Sequence, residues 1–449
     1  MWHGNRRDFL RSTAAAAIAS SALARWTFAQ EQHELSCEVV FPRNRVPLAL
    51  IIDDSTCLVN MGHFCMPQFA TAWPERDIYK KPWRTWPREI PDSFVREFGE
   101  WSAEHGVKGK YSLVPYPACV GWLDRELPGW SREELHDSLK LVRELIAPRF
   151  DIHPEMITHT RVIDLKTGRP MEEINNATME NSYPQMKKSA DEIAEYVAFA
   201  LRVLKNCEIP CEGITTPGGF GNGVSSELSL AIQQAVRDVY QAEIPHYFKY
   251  IVDGEESTEP KLEHVADAET DSPRLTVNIA AGTGDWLGSW DGDQMPQAEQ
   301  YASDDATWGR MVQLIERRQP AIMFGHWAGF FTQGTKLGFQ HYQRVIMALE
   351  QRFSADTIWM KLNEIARYWA AKGLTKIAVA ENEAQLKAPF EAPDFTVRLN
   401  RLIKAPAVVN GDQRADLSEV DHVRQLMEGS WCHDGNSTLM CFKLTKGRY

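Results

Sequence analysis

The sequence predicts an α/β protein: a parallel sheet under helical cover, closed or nearly closed into a barrel, with a small β-rich appendage. Three observations carry this prediction. From Pro47 to about Lys372, short β-rich runs alternate with amphipathic helical stretches, the pattern of repeated β-then-α units. Seven such β-runs suit a barrel better than a small open sheet, and a doubly wound open sheet is the competing architecture. After Gly373 the alternation stops and short β-like runs take over.

Taken in order, the β-runs are Leu48–Asp53, Lys110–Val114, Met156–Thr160, Gly213–Thr216, Tyr247–Val252, Leu275–Ala280 and Ala321–Gly325. Each is rich in β-branched or aromatic residues. Helical periodicity fills the gaps. The stretch from Asp92 to His105 opens on Asp as an N-cap, and Ser131–Ile146 opens Ser-Arg-Glu-Glu, a capping box. Tyr183–Lys205, Ser225–Gln241, Asp304–Arg318, Leu337–Phe353 and Lys361–Lys372 also follow a helical period. Two stretches break the rhythm. Residues 55–91 are rich in Pro, Trp and Cys, a long excursion after the first strand, where barrels of this kind carry their sites. Residues 253–273 are acidic and turn-rich and read as a surface loop. The appendage, residues 374–449, holds β-like runs at Lys376–Ala380, Phe395–Leu399 and Leu439–Leu444.

Residues 1–29 read as an address. Asn5-Arg6-Arg7-Asp8-Phe9-Leu10-Arg11 resembles the twin-arginine export consensus, and an alanine-rich apolar run follows from Ser12 to Ala24. That run is too short to anchor permanently in a bilayer. The expectation is export to a periplasmic or extracellular location, with residues 30–373 forming the barrel. The net charge is -12, and residues 1–29 hold four arginines against one aspartate, so the remainder carries about -15. Nucleic acid is not expected as a partner, because its phosphates repel such a chain. The eight cysteines fit either disulfides in an oxidising compartment or buried thiols.

The chemistry-bearing residues sit just after β-runs. Asp53 and Asp54 end the first, after Leu-Ala-Leu-Ile-Ile. Side chains alternate there, so one carboxylate can bind a metal while the other holds or deprotonates a water; an Asp cap on a surface turn is the plain alternative. His159, in the third run, can share a divalent metal with Asp54, and Asp164 follows as a further ligand or ligand partner. After the fourth run comes Thr215-Thr216-Pro217-Gly218-Gly219-Phe220-Gly221-Asn222-Gly223, whose glycines suit a close approach to a ligand or an ordinary loop. Gly284-Asp285-Trp286 follows the sixth run, and Gly325-His326-Trp327 the seventh. A carboxylate and an imidazole beside Trp rings suit a sugar-handling cleft. A parallel barrel would gather all these groups at one face.

In this order the motifs resemble the polysaccharide deacetylase family, the one with the NodB homology domain. Ile51-Ile52-Asp53-Asp54-Ser55 is similar to its first motif, His159-Thr160 to the start of its second, and Thr215-Thr216-Pro217-Gly218-Gly219 in part to its third. Asp285-Trp286 matches the fourth, and His326 is placed like the His of the fifth. The likeness runs over roughly residues 47–372. It implies a distorted barrel of about seven strands, with Asp53 as the base, Asp54 and His159 as metal ligands and His326 as the general acid. Two positions depart from the pattern: Ile163 replaces a second His ligand, and Thr215 replaces an Arg that orients the base. Either Asp164, His63 or another group is then expected to complete the shell, or the deacetylase chemistry has been lost.

The function expected is metal-dependent deacetylation of an N- or O-acetylated glycan, with a zinc-like ion and a carbohydrate substrate. Catalysis would fall to Asp53, His326 and Asp285. Substrate contacts would come from Trp286, Trp327, Gly218 and Phe220, and metal ligation from Asp54, His159 and Asp164. The alternatives are a glycosidase using Asp53 and Asp285 across a cleft, or a non-catalytic carbohydrate-binding protein on a decayed deacetylase scaffold.

Overall fold

The computed structural model describes residues 36–380 and 383–448; the export signal expected at 1–29 lies outside them. The first described barrel-type strand, β1 (Val46–Asp53), is buried along its whole length. A continuous apolar run of this kind belongs to a parallel strand covered on both faces. Around it lie β2 (Gly109–Ser112), β3 (Phe150–His153), β4 (Gly213–Thr215), β5 (His246–Ile251), β6 (Lys261–Ala266), β7 (Arg274–Ala281), β8 (Ala321–His326) and β9 (Thr357–Trp359).

These strands form two sheets. The first has the order β8-β1-β2-β3, with β9 also on β1, and every pair in it is parallel. The second has the order β4-β5-β7-β6, parallel except for β6, which runs against β7. Among the described residues no continuous ladder closes the two sheets into a barrel. They meet at two seams, each spanned by an isolated bridge: Glu155 with Thr215, and Asp285 with Phe324. At the first seam Pro154 follows β3 directly. It has no N–H to extend the ladder, although its carbonyl accepts from Thr215 N at 3.0 Å. At the second, Gly282 N donates to Ile322 O at 2.8 Å before the chain turns away.

Helices connect the strands. Asp92–Glu104 buries Phe94, Val95 and Phe98 on one face. Arg132–Leu141 starts on Ser131, whose side chain forms the expected capping box with Glu134. The helix expected from Tyr183 begins only at Ala190, because Ser189 and Glu192 make a second capping box there. The helix expected over 304–318 is confined to Arg310–Glu316. The acidic stretch 253–273 is not all loop, since it contains the largely exposed edge strand β6.

The run Met156–Thr160 is not a strand. The third strand is β3, which ends at His153, and the residues after it form a bent loop. His159 has φ +64°, a left-handed conformation that extended backbone lacks. In place of a ladder, the loop's backbone hydrogens go to the buried Glu180. It accepts from Ile157 N at 3.1 Å, Thr158 N at 3.0 Å and His159 N at 2.6 Å.

The C-terminal strands behave as expected in kind. Ala392–Leu399 pairs with Ser437–Leu444, and Cys37–Val39 adds to the other edge of Ala392–Leu399. The Tyr368 hydroxyl, on the helix Leu362–Leu374, donates to Val40 O at 2.7 Å and accepts from Thr396 N at 3.2 Å. The described residues form one compact unit. All eight cysteines are unpaired. No helix among the described residues is long and apolar enough to cross a membrane.

Candidate functional site

A cleft of about 580 Å³ lies at the C-terminal ends of β1 and β8. Asp53 is the last residue of β1 and pairs in register with His326, the last of β8. Parallel register thus sets a carboxylate beside an imidazole although 273 positions separate them in sequence. Asp54 follows with φ +57°, which turns the chain out of the strand, and its N–H donates to Glu155 Oε2 at 2.8 Å.

Three buried groups converge there. His159 Nε2 lies 2.7 Å from Asp54 Oδ1 and 3.3 Å from Glu155 Oε1. Asp54, Glu155 and His159 offer ligand atoms that all lie within 4.8 Å of one another, the spacing that one metal ion can bridge. Asp54 Oδ1 pairs with the His159 imidazole, while Oδ2 is buried without a hydrogen-bond partner. A buried carboxylate left so is costly, and a bound cation would remove that cost, so the residues present fit a divalent metal. Glu155 offers a third ligand atom, where the motif resemblance leads one to expect Asp164 or His63. Ser112 Oγ orients it, donating to Oε2 at 2.8 Å.

Asp53 has a different partner. Lys110, buried on β2, donates from Nζ to Asp53 Oδ1, to Ile52 O at 3.0 Å and to Ser112 Oγ at 2.6 Å. Lys110 is thus the cation beside Asp53, where the motif resemblance leads one to expect an Arg at the position of Thr215. Burial and the Glu155 charge raise Asp53 to about 7, while Lys110 pulls the other way. Across the cleft, His326 Nδ1 lies 2.7 Å from Asp285 Oδ2. Burial disfavours the imidazolium, but the Asp285 hydrogen bond and the charges of Asp54, Asp285 and Asp53 outweigh it and raise His326 to about 9. With Nδ1 committed to Asp285, Nε2 is the ring position left to exchange a proton.

Of the residues singled out in the sequence, Asp53, Asp54, His159, His326 and Gly218 line the cleft, and Asp285 stands behind His326. The others do not. Asp164 sits in a short hairpin with Arg169–Pro170, where its Oδ1 accepts from Lys166 N at 2.9 Å, so it ligates nothing in the cleft. His63 is turned to Trp86 O at 3.0 Å. Trp327 is wholly buried against Phe94, Phe98 and Tyr111 and belongs to the core. Trp286 packs edge-on against Tyr301. Phe220 is buried beside Tyr183 and Tyr196. The aromatic wall of the cleft instead comes from Phe69, Tyr79, Trp290 and Phe248. Sequence reasoning missed Glu155, Lys110 and Trp290. The one available signal was Glu155, four residues before His159.

The fold and site together define an α/β protein with a buried acid–imidazole centre at the C-terminal ends of parallel strands. No family model matches the chain, and no curated protein matches it. Solved structures that align with it include two of one protein. One is a mutant of BA3943, a CE4 family pseudoenzyme, and the other a BA3943 mutant described as a CE4 family pseudoenzyme with restored enzymatic activity. Each is 11% identical, with 73% of this chain and 70% of that chain covered and a TM-score of 0.29. A likeness this low carries no argument about this chain.

Proposed function

We propose that this chain is a metal-dependent hydrolase that removes acetyl groups from a glycan, on a seven-stranded barrel opened at two seams. The observation that carries the reading is the meeting of Asp53, Asp54, Glu155, His159 and His326 in one cleft. The motif resemblance to polysaccharide deacetylases supports the same reaction, and the single bridges at the two seams support the barrel.

Asp54, Glu155 and His159 would hold the ion, for which zinc is the first choice. When bound, a divalent cation there polarises an acyl carbonyl and lowers the pKa of water. Asp53, held by Lys110, is the group placed to accept a proton from the attacking water. His326 is protonated at neutral pH and donates from Nε2 to the departing amine or alkoxide, while Asp285 fixes its ring. Phe69, Tyr79 and Trp290 offer flat apolar faces to a sugar ring. The glycosidase alternative is less favoured, because Asp285 is committed to His326 and Asp53 to Lys110.

The test is acetate release from N- and O-acetylated oligosaccharides by the full chain, with and without added zinc. Zinc-dependent release that is lost in Asp54→Asn supports the reading. No release from any acetylated glycan, with zinc bound, contradicts it and favours a binding protein.

A further inference from the structure

Beneath the cleft lies a second group of ligand-type side chains that the proposed hydrolysis does not use. Asp151 and His153 are on β3 and His246 opens β5. All three are buried, the two histidines completely. Asp151 Oδ2 lies 2.6 Å from His246 Nε2 and 3.1 Å from His153 Nε2, and the two Nε2 atoms are 3.0 Å apart. Three ligand atoms from two strands therefore surround one point.

Each imidazole also has its far nitrogen engaged. His246 Nδ1 faces the Ile244 carbonyl at 3.4 Å, and His153 Nδ1 faces Thr215 Oγ1 at 3.3 Å. Metal-ligating histidines are held in this way, with one nitrogen on a protein group and the other on the ion. A carbonyl only accepts, so His246 Nδ1 carries a proton. A neutral ring would then point its Nε2 lone pair at a carboxylate oxygen 2.6 Å away, which is repulsive. Either a second proton or a cation must lie between them. A cation satisfies His153 Nε2 as well, with bonds of about 2.0–2.2 Å.

The backbone makes room for this point. A Cβ on Gly213 would lie 2.2 Å from His153 Nε2 and 2.5 Å from His246 Nε2. Glycine on the intervening strand β4 is thus what lets both rings meet.

We infer that Asp151, His153 and His246 form a second divalent-cation site, structural in role and sealed inside the strands beneath the cleft. Two imidazoles and one carboxylate suit zinc or a similar transition metal. Because its ligands are buried, the ion would enter as the chain folds and exchange slowly afterwards. The inference does not depend on the hydrolase reading.

The test uses the full chain produced with zinc in excess, dialysed in the folded state against EDTA and analysed for metal, followed by zinc X-ray absorption. The expected result is one retained equivalent with two imidazole ligands, released only on unfolding. The cleft site offers a single imidazole, so the ligand count tells the two apart. A folded chain that retains no metal contradicts the inference and means that a proton fills the cluster; retained metal with one imidazole also contradicts it. A second measurement repeats the analysis on Asp54→Asn/His159→Gln, where the retained equivalent should persist. Its absence from that variant in the folded state overturns the inference.

Discussion

The two acid–imidazole clusters use the same side chains to opposite ends. Asp151, His153 and Glu155 occupy alternate positions of one chain segment, and alternate residues of a strand share a face. The first two meet His246 inside the strands, and the third meets Asp54 and His159 in the cleft. Pro154 stands between them, where the β3 ladder ends. The interior cluster has its far nitrogens engaged and a glycine cut to fit it. In the cleft cluster, Asp54 Oδ2 finds no hydrogen bond within the protein, and Oδ1 meets His159. What separates the two here is enclosure: the interior groups are sealed among the strands, and the cleft groups line an opening.

The comparison breaks first at Gly213. In Gly213→Ala the added carbon collides with both interior imidazoles, and overpacking of this kind costs about 1–3 kcal/mol. Denaturant unfolding should register that loss, and an unchanged midpoint would show that the rings are not as closely held as described. In the cleft a smaller loss is expected. Asp54→Asn keeps the side chain's shape and removes one of the two carboxylates beside His159, so the unfolding midpoint should fall by less than in Gly213→Ala. Acetate release should fall by at least about 100-fold, as for loss of a metal ligand.

His326→Gln should lower kcat by about 100-fold or more, the usual contribution of a positioned acid, with little effect on metal content. The pH profile sharpens this point. The folded His326 value of about 9 lies above the ordinary imidazole value of 6.5. The protonated pair with Asp285 therefore stabilises the fold in full below about pH 6.5, and that contribution is lost as pH rises through about 9. Activity should decline over the same upper limb, and Asp285→Asn should move the limb to lower pH. A rate that stays level through pH 10 would remove His326 as the acid. The smallest effect is expected at the aromatic wall. Trp290→Ala should raise KM by about 3–10-fold through lost stacking, with kcat little changed.

Much of the strand order was legible because each strand carries a compact apolar run ending in a polar residue. Asp53–Asp54 and His326 stood out for that reason, and the structure places them together. Glu155 was hidden because the neighbouring β-branched run, Met156–Thr160, looked like the strand itself. Its backbone hydrogens instead go to Glu180, which comes from a distant loop that no local pattern reveals. Lys110 read as an ordinary strand residue, since its value lies in reaching Asp53 across the sheet. Trp327 and Trp290 show the limit for side-chain direction: one directly follows β8 and turns into the core, and the other sits in the loop after β7 and lines the cleft. Closure into a continuous barrel could not be read from alternation, because it depends on which backbone hydrogens remain available beside Pro154 and Gly282.

The central claim is that Asp54, Glu155 and His159 hold the ion on which hydrolysis depends. The most direct measurement is acetate release by EDTA-dialysed protein titrated with zinc. Activity should return as one equivalent binds, and Glu155→Gln should bind zinc weakly and stay inactive. Full activity in the dialysed protein without added metal, or in Glu155→Gln, would contradict the account.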